Sequence, residues 1–186
     1  SVLLHRLYRM GIGGLGCLAG VPGTMGGAVA MNAGTALGEL EHVLAWVEGV
    51  DKEGYRQIER KQLPMHYREG GLPEGFLVSA AVLRLHRSGV EEEQERISTH
   101  LQRRKATQPL ELPSCGSVFR NPVGDHAGRL IESVGLKGFQ IGGAQISPRH
   151  ANFIVNTGNA LATEVMQCIH AAWEKVYQER GILLVP

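Results

Sequence analysis

The chain has 186 residues, 43% of them hydrophobic and 20% charged, with a formal net charge of +1; that is an ordinary globular composition, long enough for one domain or two small ones. Near-neutral charge with dispersed Lys and Arg gives no electrostatic footprint for nucleic acid or an anionic membrane, and no apolar run reaches the ~18 residues needed to span a bilayer. Cys17, Cys115 and Cys168 are widely spaced with no C-x-x-C pair, which favours reduced thiols in the cytoplasm, and eight histidines in no ligand-like spacing give no metal site.

In chain order, Leu3, Leu4, Leu7 and Tyr8 keep helical spacing up to a break at Gly11. The chain opens without Met, as if entered partway through a helix. Glycine is concentrated between Gly11 and Gly38. "HVLAWVEGVDKEGYRQIE" predicts a hairpin turning at Asp51–Gly54, and Phe76–Arg87 predicts a strand apolar enough to be largely buried. Residues 91–109, "EEEQERISTHLQRRKATQP", predict a polar helix whose acidic start and basic end complement the helix dipole. Pro109–Pro113 is the best linker, dividing the chain into domains 1–107 and 108–186. Beyond it come a strand at Ser117–Arg120, a helix at Ala127–Val134 and strands at Phe139–Ile146 and Asn152–Asn156. A helix then starts near Thr163, with Val165, Ile169, Trp173 and Val176 on one face, and Gly181 closes it. "ILLVP" begins one more strand. The second half is thus a small β-α-β-β-α-β domain of the α+β class.

Two glycine-bearing stretches carry possible chemistry. "GIGGLG" (Gly11–Gly16) matches a dinucleotide fingerprint literally, but a helix precedes it and more glycine follows, so it is a breaker between elements. "GVPGTMGGAVAMNAG" (Gly20–Gly34) is either a tightly packed turn or a backbone cradle for a phosphate or cofactor. "PSCGSVFRNP" (Pro113–Pro122) is either a turn feeding a strand or a mount holding a hydroxyl beside a reacting centre.

Four segments in series resemble the UDP-N-acetylenolpyruvoylglucosamine reductase family: "GLGCLAGVPGTMGGAVAMNAG" (14–34), "HYREG" (66–70), "RRKATQPLELPSCGSVFRNP" (103–122) and "AGRLIESVGLKGFQIGGAQISPRHANFIVN" (127–156). The resemblance implies part of an FAD-binding α+β domain of the vanillyl-alcohol-oxidase type, followed by a small α+β substrate-binding domain. It also implies an activity in peptidoglycan precursor synthesis. NADPH reduces FAD, and a hydride then passes from flavin N5 to the enolpyruvyl double bond of a UDP-sugar, giving UDP-N-acetylmuramate. Such a site needs a proton donor at the carbon beside the carboxylate and stabilisation of the enolate. By resemblance, Ser117 is the proton donor and Arg68 holds the carboxylate and enolate. Tyr67, Lys105, Asn121, Lys137 and His150 bind substrate or nucleotide. Gly23, Thr24, Gly26, Gly27, Ala28, Asn32, Ala33 and Gly34 contact FAD. A monomer in the cytoplasm is expected, with neither nucleic acid nor membrane as partner.

The chain departs from the family pattern at several points. Gly70 replaces the serine of Tyr-Arg-x-Ser. His150 stands where some relatives carry glutamine. The stretch from Arg84 to Lys105 lacks the tyrosine-bearing loop of one branch, so the chain resembles the branch without that insertion, the type II form. The family's N-terminal portion and a glutamate after the final "LLVP" are missing, so the chain alone is expected to bind FAD weakly and turn over poorly. The alternatives are an oxidase sharing the flavin fold, which has no need of the Gly-Ser-Val-Phe-Arg-Asn-Pro run, and a non-catalytic binding remnant. Cys115 is expected to be a small buried packing residue.

Overall fold

A computed structural model describes residues 2–87 and 89–186; Ser1 and Ser88 lie outside the described residues. The chain is mixed α and β and divides between Gln102 and Arg103 into two compact units.

In the first unit, α1 (Val2–Arg9) stops before Gly11, whose φ of +68° no longer suits a helix. A 3₁₀ turn at 16–18 and a short helix α2 (Met25–Ala30) follow, elements that the glycine content had hidden. Strands β1 (Gly34–Thr35) and β2 (Gly38–Glu39) form a miniature hairpin. The larger sheet has the order β4-β3-β5, all antiparallel, from β3 (Leu44–Asp51), β4 (Gly54–Glu59) and β5 (Leu77–Leu83). Gly54 takes the expected left-handed turn position at φ +110°. Leu15, Val29, Leu40, Val47 and Phe76 centre the core.

Strand β5 is not largely buried: Leu77 is 68% exposed, and Ser79 and Ala80 also face out. It lies at the sheet edge, where Val78 packs against Gly26 of α2, so apolarity there did not mean enclosure on both faces. Helix α3 (Val90–Thr107) is polar as expected. Both carboxylate oxygens of Glu93 accept backbone N–H groups, from Gly14 and Gly16, each at 2.8 Å. "GIGGLG" therefore closes on the protein's own carboxylate.

The second unit is a four-stranded antiparallel sheet of order β6-β9-β8-β7 backed by α4 (Ala127–Ser133) and α5 (Ala162–Arg180). Three expectations shift here. The first strand, β6, is Ser114–Ser117 rather than 117–120. The single strand expected at 139–146 is a hairpin of β7 (Gln140–Ile141) and β8 (Ala144–Ile146). Gly142 (φ +54°) and Gly143 make its turn, and a Cβ on Gly142 would lie 2.0 Å from Glu164 Oε1. Glu164 accepts N–H from Gly143 (3.0 Å) and Leu161 (2.9 Å), tying that turn to the start of α5. These N–H donors hold its carboxyl below the usual range, against a small opposing effect of burial. Residues 181–186 form no strand: Arg120 N–H reaches Val185 O at 2.8 Å, but no ladder develops.

Strand β9 (Phe153–Asn156) falls where expected. Helix α5 buries Cys168, Ala172 and Val176, with Val165, Ile169 and Trp173 flanking them half-buried. The small side chains occupy the line nearest the sheet, which lets the helix approach it, so the buried stripe is rotated from the large apolar residues.

Candidate active site

The first unit contains a cavity of about 620 Å³ that is chiefly apolar. Gly23, Thr24, Gly27, Ala28 and Ala33 line it together with Leu18, Val21, Pro22, Met25 and Met31. Thr24 caps α2, its hydroxyl oxygen accepting Gly27 N–H at 3.2 Å. Gly23 has φ +119° and nothing within 4 Å of where a Cβ would stand, so its backbone borders open space. Five of the eight residues expected to touch a flavin thus share one cavity. The wall suits a planar apolar ring, and the bare Gly23 backbone permits close approach, so these residues fit that group.

Gly26, Gly34 and Asn32 have other surroundings. Gly26 faces β5, and a Cβ on Gly34 would meet Gly38 O at 2.5 Å. Asn32 is fully buried with φ +39°, a left-handed position that asparagine tolerates. Its side-chain oxygen accepts Glu41 N–H (3.0 Å); its amide nitrogen lies 3.1 Å from both Glu39 Oε2 and His66 O, and 3.4 Å from Glu41 Oε1. Arg60 pairs with the other oxygen of Glu41. Burial alone would raise the Glu41 pKa, but hydrogen bonds from Arg60 and Asn32 and the Arg60 charge together bring it below the usual range.

Arg68 lies in the two-residue turn of a short hairpin closed by His66 and Glu69, and has φ +58°. Its Nη2 donates to Gly34 O at 3.0 Å, its guanidinium stands 4.8 Å over the exposed Tyr67 ring, and Nη1 lies 3.8 Å from Glu39 Oε1. Next to this hairpin, Gly70 donates its N–H to Ala30 O at 2.9 Å. A Cβ on Gly70 would lie 2.0 Å from Val29 O. The serine of the resembling family's pattern has no room in this backbone.

In the second unit, a cavity of about 300 Å³ brings together Ser117, Asn121 and His150, with His126, Gly128, Arg129, Glu132, Arg149, Ala151 and Asn152. The pairing of β6 with β9 sets Ser114 opposite Val155 and Ser117 opposite Phe153, so β6 carries an extra residue. Gly116, at φ +84°, absorbs this bulge. A bulge re-aims the side chain that follows it, which is the physical reason for a Gly-Ser pair here. The Ser117 hydroxyl is exposed and takes no part in hydrogen bonding among the described residues.

The segment beyond Ser117 is fixed by Asn152, which is 3% exposed. Its side chain accepts Phe119 N–H (2.9 Å) and donates to Phe119 O (2.8 Å), standing in for a neighbouring strand. Asn121 Oδ1 accepts Ala127 N–H at 3.1 Å and so caps α4. His150 packs edge-on against Phe153, and its Nδ1 accepts Asn152 N–H at 3.2 Å. Burial lowers its pKa below 6.5, and the nearby Lys137 charge adds to the shift. A neutral ring accepting at Nδ1 carries its proton on Nε2. Gly128 leaves space for that ring, since a Cβ there would lie 3.0 Å from His150 Cε1.

Lys137 is paired with Glu132 at 2.9 Å and does not line the cavity; Lys105 is exposed on the last turn of α3. Cys115 is exposed, not buried as expected, because it sits in the bulged strand; Cys17 and Cys168 are buried. Sequence reasoning passed over Asn152, Gly128, Arg129 and Glu39. Gly128, Arg129 and Asn152 lie within the 127–156 segment and Glu39 just beyond the 14–34 one. Asn152 and Glu39 act on partners distant in the chain, Phe119 and Arg68, whereas Arg129 pairs locally with Asp125.

An apolar cradle and a polar pocket are carried on separate units of mixed helix and sheet. Residues 108–186 match the family described as UDP-N-acetylenolpyruvoylglucosamine reductase, C-terminal domain. Proteins named UDP-N-acetylenolpyruvoylglucosamine reductase from Syntrophobacter fumaroxidans and Moorella thermoacetica are 46% and 45% identical over 99% and 97% of the chain. The chain spans 54% and 60% of those two relatives. The crystal structure of the like-named reductase from Thermus caldophilus superposes with a TM-score of 0.87 at 37% identity, covering 98% of this chain and 66% of that one. The chain belongs to the UDP-N-acetylenolpyruvoylglucosamine reductase family.

Proposed function

We propose that the protein carrying this chain uses NADPH and FAD to reduce the enolpyruvyl group of UDP-N-acetylenolpyruvoylglucosamine to UDP-N-acetylmuramate, in the cytoplasm, for peptidoglycan precursor synthesis. The observation that carries this reading is the Gly116 bulge. It mounts an otherwise uncommitted Ser117 hydroxyl on the cavity that also holds Asn121 and His150.

FAD would lie against Gly23, Thr24, Gly27, Ala28 and Ala33, and when bound it supplies the hydride. The chain's own residues do the rest. Addition of hydride to one alkene carbon breaks the π bond and leaves an electron pair on the carbon beside the carboxylate. Ser117 gives its proton to that carbon. The alkoxide left on Ser117 takes a proton back from solvent before the next turnover. Arg68 stabilises negative charge on the carboxylate oxygens while the enolate exists, which lowers the barrier because the interaction strengthens in the transition state. Tyr67, Lys105, Asn121, Lys137 and His150 bind and orient the nucleotide sugar, with the neutral imidazole offering Nε2–H to an acceptor.

The experiment is anaerobic. FAD-loaded protein is reduced with NADPH, and flavin absorbance is followed on adding the enolpyruvyl UDP-sugar or UDP-N-acetylglucosamine. Reoxidation by the first alone is expected; reoxidation by neither overturns the assignment.

A further inference from the structure

Arg68 is asked to hold a charged fork at one place, yet it projects from the turn of a hairpin in a left-handed conformation. Backbone alone does not fix a side chain with four rotatable bonds. We infer that Glu39 is the positioning residue of Arg68, and that a buried relay through Asn32 fixes Glu39 in turn. The inference rests on the proposed role of Arg68 at the substrate carboxylate.

Each link of the relay is in place. Arg68 is anchored at Nη2 by Gly34 O, in the strand that pairs with Glu39. Glu39 divides its two oxygens, Oε2 accepting from Asn32 and Oε1 facing Arg68 Nη1. Asn32 is fully buried and is itself held by Glu41 N–H and His66 O, so it cannot rotate to release Glu39. Arg60 closes the far end on Glu41. The order Arg60, Glu41, Asn32, Glu39, Arg68 sets a cation at each end of two carboxylates that share one amide. Each acid's repulsion from the other is offset by its own arginine.

The length of the last link matters. At 3.8 Å, Glu39 is beyond hydrogen-bond reach of Nη1, and that nitrogen is buried with no hydrogen-bond partner among the described residues. A closed bidentate pair would occupy the fork and leave little for a substrate. At this separation Glu39 attracts the guanidinium without closing a bidentate pair on it. The hairpin is held to the same frame twice more, by Gly70 N–H on Ala30 O and by Asn32 on His66 O.

The test is chemical labelling of arginines in the FAD-loaded protein by an arginine-specific dicarbonyl, read at each arginine by peptide mass spectrometry. Glu39→Gln removes the charge with little change of shape. Arg68 should label about two- to fivefold faster, the range for loss of one partly exposed ion pair, while Arg129 in the other unit labels as before. Glu39→Asp, which keeps the charge on a shorter arm, should fall between. Unchanged labelling of Arg68 in folded Glu39→Gln, or equal labelling in the Gln and Asp variants, overturns the assignment. Should Glu39→Gln not fold, Glu39→Asp is compared with the wild type directly, and unchanged labelling overturns it equally. In the half-reaction assay, Glu39→Gln should slow reoxidation by the enolpyruvyl substrate about two- to fivefold, by the same ion-pair range, and leave reduction by NADPH unaltered, whereas equal loss of both makes Glu39 merely structural. A wild type inert to the substrate would refute the reductase reading, while labelling still decides whether Glu39 holds Arg68.

Discussion

Replacing Gly70 by alanine should destabilise the first unit by about 2–4 kcal/mol. The new Cβ would stand 2.0 Å from Val29 O, 2.8 Å from Ala30 O and 2.9 Å from Ala30 C, whereas ordinary contact begins at 3.4 Å. All three are backbone atoms, so no side chain can rotate aside; the hairpin and the end of α2 must part by about 1.4 Å at the closest pair. Overpacking of this kind costs about 1–3 kcal/mol, and separation also breaks the bond from Gly70 to Ala30 O, worth about 1 kcal/mol. The two tryptophans, Trp46 and Trp173, lie one in each unit. In a Trp173→Phe background, urea unfolding followed by Trp46 fluorescence therefore reports the first unit. With a slope of about 2 kcal/mol/M, the midpoint should fall by about 1–2 M. A fall below about 0.3 M would show that the backbone yields freely and that the close packing of hairpin on α2 is not a constraint.

Three further outcomes follow from named contacts. Asn152→Ala strands a buried N–H and C=O of Phe119 and should cost about 2–4 kcal/mol, measured by urea unfolding on Trp173 fluorescence in a Trp46→Phe background. Hydrogen bonding from Arg129 and from His126 N–H lowers the Asp125 pKa to about 2. The stabilisation is thus complete above the unfolded value of about 4 and lost as pH falls through the folded one. The Tm difference between wild type and Asp125→Asn should be level above about pH 5 and shrink from pH 4 towards pH 2. Of the three thiols, Cys115 alone is exposed, and burial pushes Cys17 up to about 11. A thiol reagent should label Cys115 quickly in the native chain and all three only after denaturation.

Secondary structure was legible where a local signal sets it. The hairpin at 44–59 follows from alternation and Gly54, and α3 from its charge order. Errors arose where tertiary context decides. Strand β5 is apolar but lies at an edge, and β7 and β8 are separated by two glycines shaped by Glu164, a residue twenty-two positions beyond Gly142. The site was half legible. Ser117, Asn121 and His150 were named from motifs and share a cavity. The bulge that presents Ser117 was not foreseen, because it depends on the register with β9. Glu39 and Asn152 also escaped, since each acts through partners that only folding brings near: Arg68 is twenty-nine residues from Glu39, and Phe119 thirty-three from Asn152.

Anaerobic stopped-flow on Ser117→Ala, with both half-reactions followed by flavin absorbance, tests the account at its centre. Flavin reduction by NADPH should proceed at nearly the wild-type rate. Reoxidation by the enolpyruvyl UDP-sugar should fall by at least about a hundredfold, the loss expected for a missing proton donor. Wild-type reoxidation in Ser117→Ala, or equal loss of both half-reactions, would contradict the role given to the serine that the Gly116 bulge presents.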